Sequence, residues 1–291
     1  MYPESGGGAP EPMPSGGSFG DEGIVSRLTQ NFEGLIPLLL ILIIILFIGT
    51  RAGFIDLPIP GLNDKKPLRT LIVGEPSVDF ISLLSQDKDM TVFRLRDPGS
   101  LTVAPSSYLA KYDLVILDQT NSPDKRVSRQ LGEAIVDYVR TGGKLVTVLD
   151  SGILRSGGIT GEGRAADVVG WEATFDNIVP VKCDRTIGDV PSCTQQIQVV
   201  GRIWAEDLEH PIMEGIEVAP AHPADPPYLL LTFNVMPSGN QIAFIKDQQT
   251  TSYYPAIVEN KLIIGKSLYF NYDPALTPGI WQNTLEYLRG K

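Results

Sequence analysis

A chain of 291 residues with 43% hydrophobic content is long enough for one or two domains with a sizeable core. Its formal charge of −10, with no basic stripe, excludes nucleic acid as an expected partner. Two cysteines are too few for a fold held together mainly by disulfides.

Residues 1–33 hold seven glycines and four prolines, with Glu4, Glu11, Asp21, Glu22 and Glu33 set against Arg27. Such a stretch cannot bury enough apolar surface to offset the entropy of ordering it, so it reads as a disordered acidic tail. From Gly34 to Gly49 the chain runs GLIPLLLILIIILFIG, with no charge between Glu33 and Arg51. The run is aliphatic on every face and predicts one N-terminal transmembrane helix over 34–55, making the chain a single-pass membrane protein. The acidic leader before it does not fit a cleaved signal peptide. The Pro-rich stretch 56–68 reads as a linker, and 69–291 as the folded domain.

The domain opens with RTLIVGE, an apolar run from Arg69, followed by PSVDFISLLSQ at helical spacing over 76–86. Residues 90–95 read as the next strand, and YDLVILD at 112–118 as a strand buried on both faces. VSRQLGEAIVDYVR (127–140) carries Leu131, Ile135, Val136 and Val139 on one helical stripe, and Gly142-Gly143 stops it. The β-rich run 144–149 follows and ends in Asp150-Ser151-Gly152. Alternating strands and helices at this spacing predict an α/β fold with an open, mostly parallel sheet flanked by helices. Later β-rich runs are 171–181, 194–203, 227–235, 241–246, 254–258 and 262–271, and a closing amphipathic helix covers 277–288.

Cys183 and Cys193 bracket the turn-rich segment CDRTIGDVPSC. A hairpin there brings the sulfurs together as a disulfide in an oxidising compartment; two separate buried thiols and a half-metal site are the other readings, and no further ligand for a metal lies nearby. Lys and Arg are more numerous after the apolar segment than before it, which favours a cytoplasmic domain. The disulfide reading favours an extracytoplasmic one, which is the placement expected here.

YDLVILDQ, YVRTGGKLVTVLDSG, HPIMEGI and KSLYFNYDPALTPGIWQNTLEYL together resemble the class I glutamine amidotransferase-like superfamily. The nearer similarity is to its non-canonical branch, which includes trehalose-utilisation-type proteins and domains of gliding-motility auxiliary ABC components. The resemblance covers about residues 69–290 and implies a flavodoxin-like sheet. Catalytic members place a cysteine on a strand-to-helix turn and a histidine after a late strand. Here Ser151 stands near the first position, and the late strand reads SLYFNYDP without an imidazole.

The resemblance therefore implies a non-catalytic binding or scaffolding protein at the membrane, partnered by the lipid bilayer and by a protein such as a transporter component. The alternatives are a hydrolase using Ser151, or the pair Asp118 and Asp150, and a structural component of a cell-envelope assembly. A serine nucleophile needs a base, and only His210 and His222 exist. Asp118, Gln119, Asp150 and Ser151 follow predicted parallel strands, where open α/β sheets form their ligand crevice, and are the ligand-binding candidates. Capping of the following loops is the alternative for each. SGGITGEGR at 156–164 lacks a Walker lysine and reads as a loop over that crevice. No cofactor and no metal is expected.

Overall fold

The computed structural model describes residues 37, 39–45, 66–86, 88–157, 159–160, 163–164, 166–184 and 191–290. The chain divides into two units, Met1–Leu57 and Pro58–Lys291. In the first, residues 39–45 are helical and solvent-exposed. Among the described residues no helix is long and apolar enough to cross a membrane. The expected transmembrane helix over 34–55, and the single-pass architecture built on it, are corrected accordingly. The expected disordered tail and most of the linker lie outside the described residues.

The second unit begins with β1 (Leu68–Val73), α1 (Val78–Gln86), β2 (Thr91–Arg96), α2 (Pro105–Leu109), β3 (Leu114–Leu117), α3 (Arg129–Arg140) and β4 (Lys144–Val148). β3 is buried at every position, as its unbroken run of aliphatic residues requires. The Ser128 hydroxyl caps α3 by accepting from the Leu131 N–H, and Gly142, at φ +106°, reverses the chain after it. There follow α4 (Trp171–Phe175), β5 (Gln196–Ala205), β6 (Val218–Ala219), β7 (Tyr228–Phe233), β8 (Asn240–Asp247), β9 (Tyr253–Lys261), β10 (Lys266–Phe270) and α5 (Pro278–Arg289). α5 starts on Pro278, where a missing N–H costs nothing, and ends on left-handed Gly290. Residues 171–175, expected as part of a strand, are helical.

The ten strands form one sheet in the order β6-β5-β8-β9-β10-β4-β3-β1-β2, with β7 also paired to β5. Ladders from β2 to β10 are parallel, and those from β10 through β9, β8 and β5 to β6 and β7 are antiparallel. The expected mostly parallel, flavodoxin-like sheet is thus corrected to a mixed one. The late runs are joined by short turns, which permit hairpins; a parallel pairing needs a long crossover.

Alternate residues of β10 point to opposite faces, and their partners show two helical layers. Tyr269 meets Trp171 of α4 edge-on at 5.5 Å, while Phe270 meets Trp281 of α5 at 5.9 Å. Phe80 of α1 packs on the same Trp281 at 4.8 Å. The buried Asn271 side chain, just past β10, accepts from the Phe233 N–H and donates to the carbonyls of Phe233 and Pro255, fastening β7 and β9 to the end of β10.

Candidate functional site

The carboxyl ends of the parallel strands converge on one network. Gly74, leaving β1 at φ +119°, passes so close to β3 that a Cβ there would lie 2.1 Å from the Asp118 carbonyl oxygen. Asp118 is 1% exposed, and its carboxylate accepts from the Thr120 N–H (2.9 Å) and Thr120 Oγ1 (2.6 Å). Burial pushes its pKa up to about 6; the bonds from Thr120 oppose the shift, and the charge of Asp273 adds to it.

Gln119 is the hub. Its N–H donates to Ser151 Oγ (2.7 Å), its Oε1 accepts from the Gly152 N–H (2.8 Å), and its Nε2 donates to the Asp124 carbonyl (2.9 Å). Ser151 is fully buried, and its carbonyl accepts from the Trp171 indole at 3.0 Å. Asp150 pairs with Lys125 at 3.0 Å, and the same ammonium donates to the carbonyls of Gln119 and Thr120. Asp118, Gln119, Asp150 and Ser151 therefore come together, with their polar atoms engaged by one another and by the loops after β3 and β4.

Neither histidine bonds to Ser151. Buried His210 accepts from the Ile212 N–H through Nδ1 and meets Glu259 through Nε2 at 3.2 Å. The Tyr287 hydroxyl also donates to Glu259, and Lys261 lies 3.4 Å away. Burial pushes the Glu259 carboxyl up, but His210, Tyr287 and Lys261 together hold it below the usual carboxylate range. His222 is exposed and accepts from the Ala224 N–H.

Beside Gln119 a crevice of about 270 Å³ opens over the ends of β2 and β3. Asp97, Ser122, Asp124, Arg126, Ser128 and Ser156 line it. Arg126 grips Asp124 with two bonds of 2.7 Å and reaches toward Asp167 at 3.8 Å. Asp97 accepts from the Gly99 N–H at 2.7 Å. Sequence reasoning missed Asp97, Asp124 and Arg126, although Asp97-Pro98-Gly99 and Ser122-Pro123-Asp124 are turn signals placed just after strands. Ile159–Thr160 and Gly163–Arg164 pair as a short hairpin in the loop after β4. Among the described residues no group of three or more His, Cys, Asp or Glu could hold a metal. Cys183 and Cys193 are joined by a disulfide, with their Cα atoms 4.9 Å apart.

No protein-family model matches the sequence, and no curated protein matches it significantly. Among solved structures the chain is similar to a β-galactosidase from Bacillus circulans sp. alkalophilus, at 13% identity and TM-score 0.50, over 79% of this chain and 32% of that one. It is also similar to the β-galactosidase from Rahnella sp. R3, at 12% identity and TM-score 0.48, over 78% and 32%. A third similar structure is the carbohydrate deacetylase Agd3, at 10% identity and TM-score 0.39, over 76% and 33%. The chain thus spans about a third of the length of these enzymes, and at such identities the likeness is one of fold. The expected resemblance to glutamine amidotransferase-like proteins is corrected to a likeness in fold to part of a β-galactosidase. The membrane-anchored, non-catalytic scaffold rested on that resemblance and on the anchor, and it is corrected with them.

Proposed function

We propose that this chain is a saccharide-recognising domain of a carbohydrate-active protein, and that the crevice beside Gln119 holds a single sugar ring. The observation carrying this reading is the lining of the crevice: a carboxylate, an Arg–Asp fork and several hydroxyls around about 270 Å³. That is just under the size of ordinary small-molecule pockets, which start at about 300 Å³, so the ligand is small. A sugar hydroxyl both donates and accepts. A carboxylate next to a guanidinium offers both complementary partners to adjacent hydroxyls. The likeness to β-galactosidases and a carbohydrate deacetylase supports the same ligand class.

Titration calorimetry of the chain with galactose, mannose, glucose and N-acetylglucosamine tests the proposal. At least one should bind, and Arg126→Ala should weaken it at least tenfold. Absence of binding by all four, or binding indifferent to Arg126→Ala, would refute it. The Cys183–Cys193 disulfide further supports an oxidising, extracytoplasmic location. Thiol labelling of intact cells with and without reductant checks that placement, and two thiols reactive without reductant would contradict it.

A further inference from the structure

A second surface, far along the sheet from the crevice strands, combines exposed Tyr253 and half-buried Phe244 and Trp204 with hydrogen-bonding groups that the protein does not use. The register of β5, β8 and β9 puts Trp204, Phe244 and Pro255 directly opposite one another, with Lys246 opposite Tyr253 beside them. Opposed residues share a face. It is the outer one: the intervening Ile203 and Ile245 are fully buried, whereas Tyr253 is 58% exposed. The rings of Phe244 and Tyr253 are 5.6 Å apart at 63°, and the Lys246 ammonium stands about equally far from the rings of Trp204 (6.0 Å) and Tyr253 (5.8 Å). The rings of Phe244 and Tyr253 border a groove of about 630 Å³ lined also by Glu206, Met236 and Gln241, and Trp204 lies next to it, opposite Phe244.

From this surface we infer a second saccharide site, one that takes an oligosaccharide across Tyr253 and Phe244; the inference rests on the reading that the chain handles sugars. An exposed ring gains by covering its face with apolar C–H groups. A wholly apolar ligand would, however, leave the Glu206 carboxylate and the Gln241 amide facing it, and neither makes a side-chain hydrogen bond to a described residue. A pyranose has both surfaces, with C–H groups on its faces and hydroxyls around its rim. The groove has more than twice the volume of the crevice, so it suits several sugar units. The Glu206 carboxylate and the charge of −10 disfavour a nucleic acid stacking there.

Trp171 and Trp281 are 0% and 2% exposed, which leaves Trp204 as the tryptophan within a quencher's reach. Acrylamide quenching of the full chain is measured with and without β-1,4-galactotetraose, cellotetraose or maltotetraose. At least one should protect Trp204. Its affinity should fall at least tenfold in Tyr253→Ala, whose melting should match the parent, and should be unchanged in Arg126→Ala. Protection by none of the three, or protection indifferent to Tyr253→Ala, overturns the inference. So does protection by a proline decapeptide and by none of the sugars, because proline-rich segments also favour aromatic grooves. Loss of monosaccharide binding with tetraose protection intact would sink the crevice reading and leave this site standing, and the converse pattern would do the opposite.

Discussion

Asp118→Asn is expected to change how stability depends on pH. In the folded chain the buried Asp118 carboxyl holds its proton up to about pH 6, against 3.8 for the exposed group. A folded-state value above the unfolded one means that the contribution is fully present below the unfolded value and is lost as pH rises through about 6. The gap of about two pH units, at about 1.4 kcal/mol each, makes that loss about 3 kcal/mol. Asn keeps the oxygen that accepts from Thr120 and has no proton to lose. Other carboxyls add slopes of their own: Asp113, held low by Arg69, contributes stability that is lost as pH falls. These are common to both proteins and cancel in the difference. Urea unfolding at about pH 4.5 and about pH 7.5 measures it. About a third of that loss has already occurred by about pH 4.5, where the unfolded group is mostly ionised, so the parent should lose about 2 kcal/mol relative to Asp118→Asn over that interval. Parallel curves for the two proteins would show that Asp118 ionises as freely as an exposed carboxyl, and the burial argument would fail.

Gly74→Ala should destabilise by about 3 kcal/mol or more, since it combines a disfavoured φ with a backbone clash against Asp118, and urea unfolding checks it. Glu259→Ala strips the acceptor from buried His210 and Tyr287 and should cost about 3–5 kcal/mol, read as a lowered thermal midpoint. Reducing the Cys183–Cys193 disulfide opens a loop of sequence separation 10 and should cost about 2–3 kcal/mol, seen as an earlier urea midpoint with dithiothreitol.

Much of the local structure is written in the sequence. β3 is an unbroken apolar run, β4 is a β-rich one interrupted by Thr147, and α3 carries its stripe, its Ser128 cap and its glycine stop within one short segment. These signals are local because periodicity, caps and turn residues act within a few positions of the backbone. Asp118, Gln119, Asp150 and Ser151 could also be placed at strand ends by counting along the chain.

What those residues do at the strand ends is a tertiary matter. That Gln119 would spend its N–H on Ser151 and its amide on Gly152 and Asp124 depends on loops brought together from different crossovers. The crevice took shape from Asp97 and Arg126, which lie on separate elements and share no sequence pattern. The direction of the late strands was likewise undetermined, because an apolar run pairs parallel or antiparallel according to which neighbour reaches it. Trp171 starts a helix within a run that reads as β: its indole is buried against the Ser151 carbonyl, and that contact outweighs the propensity of the segment. The likeness in fold to part of a β-galactosidase, at 13% identity, lies in the path of the backbone and had to be read from there.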